Sequence, residues 1–252
     1  MSEGKYTVTE GYILKTSPAG DFARNFTFIS PIIGVNGCIA FGAERLKSRF
    51  CSTVQPFVKA KLFLSRGQNS SNLRIEDISD IETNDFLRQD IRFLQLCYFF
   101  VDILLNSYVE KNEFKSFFYL LSYSVEILKT ERDVKKSFLF FVSKYLFLSG
   151  YLFNLKSCSK CSCKSEKYYF DIREGGVFCE NCSKSKKNLI SSENCLIFKT
   201  FYDKKFVELK GFSFPDKNLD DLWKVIFLIL KDIFEKNLKT FDLIEEMLLS
   251  RR

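Results

Sequence analysis

At 252 residues the chain has room for one large domain or two or three small ones, each able to bury an ordinary apolar core. Apolar residues make up 46% and aromatics 16%, with only four prolines and eleven glycines, which excludes a disordered or low-complexity chain. The net charge of +7 is a weak pointer to polyanions, because Lys supplies most of it and comes with 29 Phe, a pairing that AT-rich coding also produces.

From Tyr6 to about Asp80 the pattern is short and β-like. The segments "YTVTEGYILK", "ARNFTFIS", "GCIAFGAERLKSRFC", "STVQPFVKAKLFLS" and "LRIEDISDIE" are separated by breaks rich in Pro, Gly, Asn or Ser. Five or six such strands predict a small closed or partly open barrel, since a lone sheet of that length leaves its edges exposed. The glycines in "EGY", "GVNG" and "FGAE" read as turns and bulges of that barrel.

One basic pattern stands out within the barrel. Arg45, Lys47 and Arg49 fall at alternate positions, as do Lys59 and Lys61, so in extended chain each set projects to one face while Val58, Ala60 and Leu62 turn inward. A basic stripe of this kind tracks a phosphate backbone, although alternating charges also mark the plain solvent face of a strand.

At Thr83, Asn84 and Asp85 the pattern changes to helix, with a cap expected before "FLRQDIRFLQLCYFFVDILLNSYV". "EFKSFFYLLSYSVEILK" and "DVKKSFLFFVSKYLFLSG" carry apolar residues at threes and fours and predict two more buried helices. The apolar run from Ser137 is interrupted by Ser143, Lys144, Ser149 and Gly150, which favours a buried helix over a membrane span. Helix resumes in "NLDDLWKVIFLILKDIFEKNLKTFDLIEEMLLSRR", with a start expected near Asn218 and a break at "NLKTF". The chain opens without a basic start and apolar signal region, so a cytoplasmic location with reduced thiols is expected.

Between these helical stretches, Cys158 and Cys161 form one CxxC and Cys179 and Cys182 a second, 17 residues later. Two such knuckles complete a tetrahedral four-sulfur site, and with no His in the chain the set is all thiolate, which favours one closed structural zinc ion. Tyr168, Phe170 and Ile172 alternate and Gly175 and Gly176 supply a turn, so the intervening segment predicts a hairpin. Cys163 falls outside the matched pairs. Thiol redox chemistry is the rival reading, and disulfides a weaker one. Lys156, Lys160, Lys164, Lys167, Lys184, Lys186 and Lys187 surround the cluster and serve in part to balance its negative charge. No enzyme emerges from the rest: there is no His for acid–base work, no phosphate loop and no recognisable carboxylate pair.

The order of these features resembles the RecO family of bacterial recombination and repair proteins. The resemblance rests on "TEGYILK", "FGAERLKSRFCSTVQPF", "LRQDIRFLQLCYFFVDIL", "LSGYLFNLKSCSKC" with "YYFDIREGGVFCENC", and "LKTFDLIEEML". Glu44 departs from it, standing where the family tends to carry a basic residue. The resemblance implies an α+β chain: an oligonucleotide-binding-type β-barrel over residues 1–80, then an all-α domain over 81–252 interrupted by a four-Cys zinc finger at about 155–190. It implies a recombination mediator, not an enzyme, that binds single- and double-stranded DNA and anneals complementary strands. Its implied partners are RecR, the C-terminal tail of single-strand-binding protein and, indirectly, RecA, in the bacterial cytoplasm at the nucleoid, with no membrane contact. Carried onto this chain, Arg45, Lys47, Arg49, Lys59 and Lys61 become DNA-contact candidates, and Cys158, Cys161, Cys179 and Cys182 the zinc ligands. A zinc-stabilised protein interaction scaffold without direct DNA contact is the alternative.

Overall fold

The computed structural model describes residues 6–66, 72–209, 211–235 and 238–249. They divide into two compact units, one of residues 1–91 and 107–122 and one of 92–106 and 123–252.

In the first unit β1 (Thr7–Ala19), β2 (Ala23–Ser30), β3 (Gly34–Phe41), β4 (Lys59–Arg66) and β5 (Leu73–Glu82) form a closed barrel in the order β1-β2-β3-β5-β4. Closure comes from a short parallel pairing, Cys38 with Leu73 and Ile39 with Arg74, which removes the last free edge. Strand β4 shows the period of two most plainly: Ala60, Leu62 and Leu64 are buried while Lys61 is exposed. They join Ile13, Phe26, Phe28, Cys38, Val58 and Ile75 in one apolar core.

Gly11 is a close-approach position rather than a turn. A Cβ there would stand 2.4 Å from Leu62 Cδ1, so only glycine lets β1 pass over the core. Gly34 has a φ of +66° and a Cβ there would meet the Phe114 ring at 2.5 Å.

The segment between β3 and β4 departs from expectation. Residues 42–48 turn, and α1 (Arg49–Thr53) follows, so Arg45, Lys47 and Arg49 do not lie on a strand. Local chemistry accounts for this: Gly42 adopts a φ of +76°, and Ser48 caps α1 by accepting from the Phe50 amide at 3.2 Å. Arg24 then donates to the carbonyls of Cys51 and Val54 at the far end of α1 and pairs with Glu44 at 2.7 Å. Glu44, the departure from the family pattern, is thereby part of the clamp that shapes the loop.

Asn84 does not cap a helix through its side chain. Its φ of +52° turns the chain, and its buried amide donates to Tyr12 Oη at 2.7 Å and to the Phe57 carbonyl at 2.9 Å. A 3₁₀ turn, Asp85–Gln89, precedes the next helix.

The second unit is built on α2 (Ile91–Leu105), α3 (Phe114–Thr130), α4 (Val134–Leu148), α5 (Ser192–Asp203), α6 (Phe206–Leu209), α7 (Asp216–Ile233) and α8 (Phe241–Leu249), of which α3 begins in the first unit. Helix α7 starts two residues before the expected Asn218, straight after Pro215. The break expected at "NLKTF" lies partly outside the described residues. Its described end is tied down where the Thr240 amide and hydroxyl both donate to Asp102 of α2, at 3.1 and 2.9 Å.

Stacked rings dominate the core: Phe100 on Phe141 at 4.0 Å and Phe138 on Trp223 at 4.4 Å between centroids. Lys136 on α4 is buried, pairing with Glu131 and donating to the Phe212 carbonyl. Among the described residues no helix is long and apolar enough to cross a membrane.

Inserted between α4 and α5 is a small sheet in the order β7-β6-β8, from β6 (Lys167–Asp171), β7 (Gly176–Phe178) and β8 (Leu189–Ser191). The hairpin forms as the alternation predicts, with Tyr168 and Phe170 buried, but Ile172 falls in its turn. The third strand, β8, is too short to leave a periodic signal.

Candidate metal centre and nucleic-acid interface

The sulfurs of Cys158, Cys161, Cys179 and Cys182 all lie within 4.8 Å of one another. Each pair sits in a tight turn of its own: Ser162 N donates to Cys158 O at 2.8 Å, and Cys182 N and Ser183 N donate to Cys179 O at 3.0 and 2.9 Å. The hairpin brings the turns together. Ser159 N donates to Val177 O at 2.8 Å, locking the first knuckle to the strand that leads into the second.

The spacing suits a tetrahedral ion. Zinc bound at the usual Zn–S distance of about 2.3 Å places its sulfurs about 3.8 Å apart. Cys161 and Cys179 are 3.8 Å apart. Burial pushes the Cys158 thiol up, but the amides of Cys161, Cys179 and Lys160 and the Cys161 thiol outweigh it and hold Cys158 down to about 6. Amides pointed at a sulfur stabilise thiolate, the form that binds metal. By contrast, burial pushes Cys38 and Cys195 up to about 12 and Cys97 higher, leaving them unreactive core thiols. The four finger cysteines therefore form a cluster that could hold a metal ion, with a donor set and spacing that fit it.

The surrounding lysines are partly spoken for. Lys184 pairs with Glu174 at 2.7 Å and Lys186 with Glu180 at 3.2 Å, so acidic side chains as well as sulfur balance this halo.

On the barrel, the five basic candidates fall into two settings. Arg45 and Lys47 are exposed in the β3–β4 loop with no carboxylate at ion-pair distance among the described residues, and the Arg45 guanidinium lies over the Phe22 ring at 4.7 Å. Arg49, at the start of α1, pairs with Asp77 at 2.6 Å and donates to the Glu76 carbonyl at 3.1 Å. Lys59 and Lys61 do project to one side of β4, but they line a groove shared with Glu10, Asp80 and Glu82, and Lys59 pairs with Glu82 at 3.4 Å. One continuous basic stripe is therefore absent: the loop cations and the β4 cations have opposite electrostatic surroundings.

Other residues gather beside the loop. Phe22 and Phe41 are exposed, and Arg74 lies over Phe41 at 5.9 Å, so two arginine-stacked rings meet where Ala23 pairs with Phe41. Adjacent along the same strands is an open groove lined by Lys15, Ser17, Asn25, Thr27 and Asn36, with no carboxylate among its lining residues. Leu46, between Arg45 and Lys47, is 95% exposed. The sequence held a signal for the rings: each Phe stands at a strand end one or two residues from a turn glycine, Gly20 or Gly42, where no core faces it.

Comparison with known proteins covers both units. The model of the recombination protein O N-terminal region matches residues 1–81, and that of its C-terminal region matches residues 88–241. Among curated relatives, the DNA repair protein RecO of Caldanaerobacter subterraneus subsp. tengcongensis is 24% identical over 241 residues, 94% of this chain and 97% of its own. That of Acetivibrio thermocellus is 26% identical over 246 residues, covering 96% and 97%, and that of Syntrophus aciditrophicus is 29% identical over 178 residues, covering 69% and 68%. With both regions matched in order on a five-stranded barrel and a helical unit that carries a four-cysteine hairpin, the chain belongs to the RecO family.

Proposed function

We propose that the protein is a DNA repair and homologous recombination mediator that binds single- and double-stranded DNA, anneals complementary strands and, with RecR, helps load RecA onto strands coated with single-strand-binding protein. The observation that carries this reading is the pair of family matches, which together span the barrel and the helical unit. Curated relatives matched over nearly their whole length are DNA repair proteins, which supports a role in repair.

The barrel supplies a physical basis. Phosphate contacts without base readout let one protein hold any strand, and arginine-backed aromatic rings stack bases of any identity. We assign the path to the β1–β3 groove and the adjoining loop, with Arg45 and Lys47 as phosphate contacts and Phe22 and Phe41 as stacking faces. Arg49, Lys59 and Lys61 take a lesser part, because their charges already face Asp77, Glu10, Asp80 or Glu82. No bond is made or broken in this role, so it needs no catalytic residue.

In the same reading the metal is one structural zinc ion held by Cys158, Cys161, Cys179 and Cys182. Bound there, it would fix the two knuckles relative to each other. The tail of single-strand-binding protein is assigned to the helical unit, and the site of action is the cytoplasm at the nucleoid.

The test is strand annealing on complementary oligonucleotides coated with single-strand-binding protein. The mediator reading expects annealing to speed up with added protein; a protein that neither binds the strands nor changes the rate would leave the scaffold alternative standing.

A further inference from the structure

Between Asp21 and Glu76 the sequence holds a single acid, Glu44, and it stands at the neck of the loop that carries Arg45 and Lys47. On a surface that takes phosphates this charge is unfavourable. A carboxylate about 8 Å from a phosphate weakens that contact roughly twofold in water.

The Glu44 side chain is nevertheless held in place. Arg24 Nε donates to Glu44 Oε1 at 2.7 Å, while Arg24 Nη1 donates to the carbonyls of Val54 and Cys51 at 2.8 and 3.2 Å. The Arg24 side chain is only 11% exposed, so its charge is turned to these groups rather than to solvent. One buried guanidinium thus ties the neck of the loop to the far end of α1.

The backbone converts that anchor into a direction. Glu44 N donates to Phe22 O at 3.3 Å, Arg45 N to Gly42 O at 3.0 Å and Ser48 N to Arg45 O at 2.9 Å, and Ala43 is fully buried. Two successive turns therefore begin at a point bonded to Phe22, and they deliver the Arg45 guanidinium over the Phe22 ring at 4.7 Å. Glu44 is the residue between the buried Ala43 and the stacked Arg45. Its anchored side chain limits where Arg45 can go.

We propose that Glu44 is a positioning residue for DNA binding: locked by Arg24, it sets Arg45 on Phe22 before a strand arrives, and this contribution outweighs its repulsion of phosphate. The inference rests on the DNA-binding reading of the loop above and deepens it. A loop already in its bound shape spares the complex the entropy of ordering it. Repulsion and positioning predict opposite signs for the same substitution, so the two are separable.

The test is an anisotropy titration of a labelled single-stranded oligothymidine with wild type, Glu44→Gln and Glu44→Ala. Glu44→Gln keeps an oxygen for Arg24 Nε and removes the charge, so it should bind as tightly as wild type or more tightly. Glu44→Ala removes the same charge together with the anchor. It should bind about threefold to tenfold more weakly than wild type, the effect of having to order one or two loop side chains on binding. In an Arg45→Ala background the difference between the Gln and Ala variants should vanish; a difference that persists there contradicts positioning through Arg45. Glu44→Ala binding as tightly as Glu44→Gln would overturn the proposal and leave repulsion alone. Wild-type protein that fails to bind the oligonucleotide at low salt overturns the DNA-binding reading and the proposal with it, a result distinct from any order among the variants.

A second measurement avoids substitution. In hydrogen exchange of the wild-type protein, the amides of Glu44, Arg45 and Ser48 should be protected without DNA. Protection that appears only after the oligonucleotide is added means that the strand orders the loop, and overturns the proposal.

Discussion

The barrel and the cysteine hairpin hold themselves together by different means. The barrel closes on itself and surrounds a continuous apolar core, from Ile13 and Phe28 to Leu62 and Ile78, with no sheet edge left over. The hairpin has three short strands, of five, three and three residues, and four sulfurs converge between its two knuckles. One region depends on area removed from water; the other, in the proposed reading, on a bound metal ion. The barrel should therefore respond to the loss of methylene groups and ignore chelators, and the hairpin should do the reverse.

The largest effect that sharpens this contrast is metal removal. Structural zinc sites of this class contribute on the order of 10 kcal/mol or more at neutral pH. A strong chelator, or Cys158→Ser with Cys179→Ser, should unfold the hairpin while amides of β1–β5 keep their protection in hydrogen exchange; barrel amides that lose protection in step would break the contrast.

Next in size is Leu62→Ala. A wholly buried leucine at the centre of the barrel should cost about 2–5 kcal/mol of barrel stability in urea, with metal content unchanged. Smaller is Asn84→Ala, which removes the two bonds that the buried amide donates to Tyr12 Oη and the Phe57 carbonyl and should cost about 1–3 kcal/mol. A stability change within error at Asn84 would show that these bonds are replaced by water.

The smallest effect is a pH dependence in the helical unit. Burial holds the Lys144 ammonium down to about 8, against an ordinary value of 10.5. A cation disfavoured in the fold means that the unfolded chain binds more protons between those values, so stability should rise with pH from about 8 to 10.5. Lys144→Met should flatten that rise in thermal melts taken across the interval. A slope unchanged by the substitution would assign it to other groups.

How much of this the sequence carries differs between the same regions. Alternation on β4 and the matched CxxC spacing are local and periodic, so the barrel, the hairpin and the cysteine cluster were all legible. The β3–β4 loop was not: alternating Arg45, Lys47 and Arg49 imitate a strand, while the features that break it are Gly42 at positive φ, the Ser48 cap and a clamp from Arg24, 20 residues away from Glu44 in sequence. Periodicity is blind to a clamp of that kind. The pairing of Lys59 with Glu82, and the placing of Lys61 in a groove shared with Glu10 and Asp80, were hidden for a similar reason, since those acids come from the neighbouring strands β1 and β5. Strand β8 was missed because three residues are too few for any pattern to repeat.

The two settings of basic residues also divide the interface sharply enough to test. Anisotropy titrations of a short single-stranded DNA at several salt concentrations, comparing wild type with Arg45→Glu plus Lys47→Glu and with Lys59→Glu plus Lys61→Glu, address the central claim most directly. The loop variant should bind more weakly and its log–log salt slope should shrink by about two, while the β4 variant changes less. Wild-type binding that is unaffected by the loop substitutions, or lost more completely with the β4 pair, would contradict it.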